Sequence, residues 1–217
     1  MNSFLLPSHL VQARLRGLYV ITHGGSPAEH IQMAAAACRG GAAIIQLRAK
    51  DLSLREALQA ALQIRQITTA SKVLFIINDR IDLALAAKTD GVHLGDDDIP
   101  AKLAREVMGR HAVIGVSVAS IKEADAAHAS GATYLGVGAI FATSSKADAG
   151  APIGLEQLRN VATHSQIPVA AIGGIDSANI KSVIDHGANM ACVISTISTA
   201  KSENEMTDRV RELVKYF

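Results

Sequence analysis

The stretch VIGVSVASIKEADAAHASGATYLGVG at 113–138 carries the strongest signal of the fold class. It begins with an apolar run at Val113–Val118 and ends with a second apolar run at Tyr134–Gly138. Between these runs, the apolar residues of Ile121–Ala129 follow helical spacing. The stretch therefore predicts a strand, a helix and a second strand. Because a crossover helix normally joins parallel strands, we expect the two strands to run in the same direction.

The same unit recurs along the chain. Further apolar runs occupy Leu18–Thr22, Ala43–Leu47, Leu74–Ile77, Gly91–Leu94, Val169–Ile172 and Cys192–Ser195. Helical spacing occupies Leu54–Thr69, Pro100–Met108, Leu155–Ala162 and Asn179–His186, and Met206–Phe217 is typical of a last outer helix. Eight strands alternating with helices in 217 residues predict an α/β fold, a single (β/α)8 TIM barrel. Periodicity alone leaves a doubly wound open sheet possible.

No linker interrupts the alternation of strands and helices, so we expect one barrel domain over residues 1–217, with residues 1–16 as a possible N-terminal helical extension. The 21 Lys and Arg residues nearly balance the 20 Asp and Glu residues, which predicts no nucleic-acid or membrane partner. The N-terminal apolar run is too short for a signal peptide, and no segment reaches the roughly 18 apolar residues of a membrane span. We therefore expect a cytoplasmic protein that binds small molecules. A homo-oligomer remains possible.

Polar side chains follow the second predicted strand, where barrel enzymes place catalytic groups. Alternation along the strand places Gln46 and Arg48 on one side and Leu47 on the other. An amide, a guanidinium and the ammonium of Lys50 suit a polyanionic ligand, because Arg offers paired hydrogen bonds and Lys a movable charge. A solvated loop would explain the segment equally well.

Acidic residues follow the third and fourth predicted strands. Asn78 and Asp79 end one apolar run, and Asp96–Asp98 follow the other. Both groups could simply cap the next helices. Alternatively, Asp79 and one of the three aspartates could hold Mg²⁺, which takes one or two carboxylates and completes its shell with water and phosphate oxygens. We expect His93 to form hydrogen bonds at the barrel mouth rather than to bind a metal.

Small and hydroxyl-bearing residues follow the last strands. Thr143–Lys146 lie in the longest connection, Gly173–Gly174 follow the seventh strand, and Ser195 ends the eighth. Loops after strands seven and eight of such barrels recurrently bind phosphate, since glycine lets backbone amides approach an anion. The glycine and serine segments after strands seven and eight therefore indicate a phosphorylated ligand, whereas a hydroxyl-rich loop such as Thr143–Ser145 is, taken alone, usually only solvated. Ser117 places a small hydroxyl at the rim of the fifth strand, although its position alone favours a residue that only closes the strand.

Taken in order and spacing, these segments resemble the thiamine-phosphate synthase family from Tyr19 to about Ile197. The segments are QLRAK at 46–50, INDRIDLAL at 77–85, DGVHLGDDD at 90–98, IGVSV at 114–118, FATSSK at 141–146, AIGGI at 171–175 and VIS at 193–195. The resemblance implies a (β/α)8 transferase of vitamin B1 biosynthesis. Such an enzyme condenses 4-amino-2-methyl-5-pyrimidinylmethyl diphosphate with a thiazole phosphate, using Mg²⁺ and releasing pyrophosphate.

The resemblance also implies the site residues. The pyrimidine diphosphate would be bound by Gln46, Leu47, Arg48, Ala49, Lys50, Asn78, Ser117 and Lys146. The thiazole phosphate would be bound by Thr143, Ser144, Ser145, Gly174, Ile194 and Ser195, and Mg²⁺ by Asp79 and Asp98. The implied mechanism is departure of the diphosphate and attack of the thiazole nitrogen on a pyrimidine carbocation.

Two positions depart from the family pattern. Gly95 is followed by Asp96 where the family often has Gln, and Ala119 stands where the family and its relatives commonly carry His. A thiazole tautomerase on the same barrel would use that His without a metal, so Ala119 argues against a tautomerase. A noncatalytic thiazole-phosphate sensor would also fit the pattern. A phosphate-handling barrel enzyme with Asp79 as its base fits less well, because the pattern lacks a lone acid paired with a strand-end Lys in the barrel interior.

Overall fold

A closed parallel barrel forms the centre of the computed structural model, which describes residues 13–143, 145 and 150–217. Its strands are β1 Gly17–Ile21, β2 Ile44–Leu47, β3 Leu74–Asn78, β4 Gly91–Leu94, β5 Val113–Val118, β6 Tyr134–Gly138, β7 Val169–Ile172 and β8 Met190–Val193. Each strand pairs with the next, and β1 pairs with β8 from Gly17 opposite Met190. The predicted (β/α)8 barrel is therefore confirmed, and the open sheet is wrong.

Helices cover the outside of the barrel. They are α1 Pro27–Gly40, α2 Leu54–Ser71, α3 Ile81–Ala86, α4 Ala101–Met108, α5 Ile121–Ala129, α6 Gly154–His164, α7 Ile180–Asp185, α8 Ser195–Ser198 and α9 Glu203–Val214. Serine side chains cap α1, α2, α5 and α9 by accepting a backbone N–H of the first turn. None of the helices within the described ranges combines the length and hydropathy needed to cross a bilayer.

Strand alternation separates two apolar layers. Leu18 and Val20 of β1 pack outward against the helices, while Tyr19 and Ile21 pack inside the barrel. The outer layer is rich in alanine, which lets the helices approach the sheet closely. The inner layer fills the lower barrel, so the open end lies at the carboxyl ends of the strands.

Two predicted elements are displaced: the last helix spans Glu203–Val214 rather than Met206–Phe217, and β8 begins and ends two residues earlier than predicted. The apolar run predicts a strand at Cys192–Ser195, whereas the strand ends at Val193 and Ser195 begins α8. Ile194 leaves strand geometry at φ −124° and ψ −79°, which turns the chain at the barrel mouth. Residues 1–12 lie outside the described part of the chain, so the extension at 1–16 and the single domain over 1–217 stay predictions.

Candidate functional site

A cavity of about 410 Å³ opens at the carboxyl ends of the barrel strands. Most of the site residues predicted from the sequence line this cavity. They are Gln46, Arg48, Lys50, Asn78, Asp79, Asp98, Ser117, Thr143, Ser145, Gly174, Ile194 and Ser195. Because these residues come from seven successive strand ends, barrel closure alone brings them to one place.

Four selected residues stand apart from that set. Leu47 is buried in the outer layer, as strand alternation requires, and Ala49 packs against the same layer. Their side chains do not line the cavity, so any contact with a ligand there would have to come from the backbone. Ser144 and Lys146 lie outside the described residues.

Two carboxylates meet on one side of the cavity. Asp79 follows β3 in a left-handed backbone conformation with φ 64°, and its N–H donates to His93 O at 2.8 Å. Burial and the neighbouring carboxyl of Asp98 raise the pKa of Asp79, while Lys50 lowers it. Lys50 Nζ lies 3.4 Å from Asp79 Oδ2, and Asp98 Oδ2 accepts the Gly95 N–H at 2.7 Å. Negative charge is therefore concentrated beside one partly exposed ammonium.

The chemistry of this carboxylate pair fits a hard divalent cation. Asp79 and Asp98 offer only oxygen donors, and Asp96 and Asp97 line the same cavity. Within the described ranges, no group of three or more His, Cys, Asp or Glu side chains could hold a metal. Mg²⁺ needs no such group, because it keeps water and substrate phosphate oxygens in its shell. A cation would also favour the ionised form of Asp79, against the burial and the Asp98 carboxyl that raise its pKa.

A line of hydrogen bonds crosses the floor of the cavity. Gln46 Nε2 donates to Tyr19 Oη at 2.7 Å, and Tyr19 Oη lies 2.9 Å from Tyr134 Oη. Tyr134 Oη lies 3.0 Å from His93 Nδ1, and His93 Nε2 lies 3.1 Å from Ser117 Oγ. The predicted hydrogen-bonding role of His93 is confirmed. The two tyrosines were missed because each occupies an apolar run, where its side chain is indistinguishable from core.

Two glycines make room for this line. A Cβ on Gly115 would lie 2.1 Å from Tyr134 Cζ and 2.5 Å from His93 Nδ1. A Cβ on Gly136 would lie 2.7 Å from His93 Cε1. Such distances are far below van der Waals contact, so the stacked rings of His93 and Tyr134 fit only because both positions lack a side chain.

The opposite side of the cavity consists of backbone turns and small side chains. Gly173 and Gly174 follow β7 with φ 104° and 62°, and a Cβ on Gly174 would lie 2.6 Å from Ala142 O. Glycine is therefore needed for the close approach of the loops after β6 and β7. Thr143 and Ser195 line the cavity beside this turn. Hydroxyls beside a glycine turn are well suited to a phosphate.

Ala119 and Glu123 also line the cavity. Glu123 was not selected from the sequence, where its position three residues after Ser120 is the signature of a helix cap. The structure shows that role directly, since Glu123 Oε2 accepts the Ala119 N–H at 2.6 Å and Ser120 Oγ accepts the Glu123 N–H. Ala119 contributes no imidazole for proton transfer at this point of the wall.

Comparison with known proteins gives a consistent result. The family model described as thiamine monophosphate synthase matches residues 18–197. A thiamine-phosphate synthase of Moorella thermoacetica is 44% identical over 191 residues, covering 88% of this chain and 90% of the relative. One of Chloroflexus aurantiacus is 43% identical over 209 residues, covering 95% of each. The solved thiamine phosphate pyrophosphorylase of Pyrococcus furiosus superposes with a TM-score of 0.86 at 38% identity, covering 95% and 96% of the two chains.

Proposed function

The chain belongs to the thiamine monophosphate synthase family and is a transferase, and we propose that its cavity joins a pyrimidinylmethyl diphosphate to a thiazole phosphate. The products are thiamine monophosphate and pyrophosphate. The observation that carries the proposal is the meeting of two cationic side chains and two carboxylates opposite a glycine turn in one cavity. This arrangement offers separate places for a diphosphate with its metal and for a phosphate monoester.

We assign the pyrimidine diphosphate to the side of the cavity formed after β2 and β3. Arg48 and Lys50 would contact the diphosphate, because a guanidinium forms paired hydrogen bonds and an ammonium can follow a moving charge. Asn78, the last residue of β3, lines the same cavity and would also contact the diphosphate. Gln46 and Ser117 lie at opposite ends of the hydrogen-bonded floor and would contact the pyrimidine ring. Lys146 completes this set by resemblance.

Mg²⁺ is the proposed cofactor, held by Asp79 and Asp98 together with diphosphate oxygens. Bound there, it would neutralise negative charge on the leaving diphosphate. Support comes from the surroundings of Asp79, whose pKa is raised first by burial and then by the Asp98 carboxyl, since a cation would stabilise both carboxylates in their ionised form. Asp96 and Asp97 lie close enough along the chain to contribute through water.

We assign the thiazole phosphate to the side formed after β6, β7 and β8. Gly174, Thr143, Ser145 and Ser195 line this wall, where they would offer a backbone amide and hydroxyl groups to the phosphate. Ser144 belongs to the same set by resemblance, and Ile194 would contribute its backbone. A phosphate here would place the thiazole ring toward the barrel centre, facing the pyrimidine.

The reaction breaks the bond between the pyrimidinylmethyl carbon and the diphosphate oxygen, and forms a bond from the thiazole nitrogen to that carbon. Charge develops on the departing oxygen, where Arg48, Lys50 and Lys146 would stabilise it. Substitution itself needs no proton transfer, which agrees with an alanine at position 119. Holding the two ligands against each other supplies the entropic part of the catalysis.

We propose that the protein binds only small molecules, with neither nucleic acid nor membrane as a partner, and that it acts in the cytoplasm. A formal charge of +1 supports it, since no excess of basic residues is available to attract polyanions. Residues 1–217 would act as one domain. The proposal holds for a monomer and for a homo-oligomer alike, because the described residues from a single chain already line the cavity.

The test is pyrophosphate release from the aminopyrimidine diphosphate and the thiazole phosphate, with each substrate and Mg²⁺ omitted in turn. We expect release only when both substrates and the metal are present. Asp79→Asn should lose most of the turnover, whereas Asp185→Asn, which alters an exposed carboxylate paired with Lys181, should retain it. Thiazole phosphate binding without pyrophosphate release would instead support a noncatalytic sensor.

A further inference from the structure

We propose that Tyr19, Tyr134 and His93 are positioning residues that set the hydrogen-bonding polarity of the pyrimidine site. Through them, Gln46 would offer a carbonyl oxygen and Ser117 an O–H to the substrate. The inference rests on the proposed function, since it concerns the substrate of that same site. It adds a reason why the site would select an aminopyrimidine over a pyrimidine bearing an oxygen at the same ring position.

The contacts of Tyr19 determine the direction of the first two hydrogen bonds. Gln46 Nε2 donates to Tyr19 Oη at 2.7 Å, so the Tyr19 proton must go to a different acceptor. The other partner of that hydroxyl in the described structure is Tyr134 Oη at 2.9 Å. Tyr19 therefore donates to Tyr134, because a buried hydroxyl without an acceptor is costly.

The direction continues through His93. With its oxygen accepting from Tyr19, Tyr134 donates to His93 Nδ1 at 3.0 Å. A neutral imidazole that accepts at Nδ1 carries its proton on Nε2. That N–H donates to Ser117 Oγ at 3.1 Å, which leaves the Ser117 O–H to point toward the cavity that Ser117 lines.

Burial keeps the line in this state. Tyr19 and Tyr134 are fully buried, which raises the pKa of both phenols, so each hydroxyl keeps its proton. Gln46 is only 2% exposed. Reversing the Tyr19–Tyr134 bond alone would point two donors at Tyr19 Oη and leave its own proton without an acceptor, so this bond can reverse only if the Gln46 amide turns as well.

This polarity matches one class of pyrimidine. One Nε2 proton of Gln46 is engaged by Tyr19, and Gln46 Oε1 can accept a hydrogen bond from an exocyclic amino group. The Ser117 O–H would donate to a ring nitrogen or to a diphosphate oxygen. An analogue with a carbonyl in place of the amino group would face the Gln46 oxygen with a second acceptor, and its transition state would lose a hydrogen bond that the site is built to make.

The tautomer of His93 gives a direct test in the ligand-free protein. Nitrogen NMR of the ¹⁵N-histidine-labelled chain at about pH 8 should show His93 as the Nε2–H tautomer, with its signals assigned by their loss in His93→Gln. A neutral His93 with its proton on Nδ1 would overturn the proposal, because the line would then run in the opposite direction. This measurement needs no turnover, so it stands whether or not the proposed function holds.

The functional consequence is tested with Tyr134→Phe, which removes one hydroxyl and keeps the ring. We expect KM for the pyrimidine diphosphate to rise about tenfold, with KM for the thiazole phosphate unchanged. The preference in kcat/KM for the amino over the oxo pyrimidine should fall by about the same factor. The control is Tyr216→Phe, which removes an exposed phenol that donates to the Ser177 carbonyl away from the cavity and should leave both constants unchanged.

Tyr19→Phe is the second variant, in case Tyr134→Phe folds poorly. It frees the Gln46 amide to turn and should weaken the same preference while leaving the thiazole phosphate constant unchanged. An active wild type whose preference survives both substitutions would refute the positioning role. A wild type that releases no pyrophosphate would refute the proposed function instead, and the tautomer would still decide whether the hydrogen-bonded line exists as described.

Discussion

Gly115→Ala is the sharpest test of how the floor of the cavity is packed. The substitution adds one methyl group inside the barrel, 2.1 Å from Tyr134 Cζ and 2.4 Å from Tyr134 Oη. Tyr134 is fully buried and cannot swing into solvent, and His93 Nδ1 lies only 2.5 Å from the same position. The tyrosine ring or the β5 backbone must therefore move.

The size of the effect follows from these distances. A methyl carbon needs roughly 3.5 Å of separation, so Tyr134 Cζ would have to retreat by more than about 1 Å. This shift would stretch the contacts of Tyr134 Oη with Tyr19 and His93, now 2.9 and 3.0 Å long. Two hydrogen bonds contribute about 1 kcal/mol each, overpacking costs about 1–3 kcal/mol, and alanine regains about 0.4–1 kcal/mol from the unfolded chain. We expect a net loss of about 2–5 kcal/mol.

Equilibrium urea unfolding followed by circular dichroism measures this change as a lower midpoint at an unchanged slope. The melting temperature should fall by about 2–4 °C for each kcal/mol lost. Gly25→Ala is the matched control, because its Cβ would meet only Glu29 Oε2, at 3.9 Å. If Gly115→Ala is as stable as Gly25→Ala, the barrel accommodates the methyl group without strain. The stacked rings of His93 and Tyr134 would then not require a glycine at position 115.

Three further predictions concern the metal, pH and a helix cap. Asp98→Asn should raise the Mg²⁺ concentration needed for half-maximal pyrophosphate release at least about tenfold, and an unchanged Mg²⁺ titration would exclude Asp98 as a ligand. His30 is buried with Nδ1 2.7 Å from Thr22 Oγ1, and burial lowers its pKa from 6.5. The folded state then resists protonation, so stability should fall as pH drops from about 7 to 5, and urea midpoints of His30→Phe should show a flatter pH dependence. Ser53→Ala removes the cap of α2 and should cost about 1 kcal/mol in the same assay, with no change in KM.

Local sequence patterns were enough to establish the order of strands and helices and most of the residues at the barrel mouth. The runs Val113–Val118 and Tyr134–Gly138 are strands with the predicted bounds, because an apolar run between turn residues is a local signal. The change from apolar to polar at Asn78 marked a strand end for the same reason. Such patterns place residues at the mouth because in this fold every strand ends there.

Which of these residues meet depends on the tertiary structure. Tyr19 and Tyr134 are 115 positions apart, and only barrel closure brings their hydroxyls to 2.9 Å. No local pattern distinguishes a tyrosine that packs in the core from one that carries a hydrogen bond across it. The pairing of Asp79 with Asp98 likewise depends on two loops folding toward each other, since either residue alone could cap a helix. The periodicity of the sequence predicts which face of a strand a side chain lies on. The contact that the side chain makes depends on how close distant strands come to each other, and local periodicity holds no information on that distance.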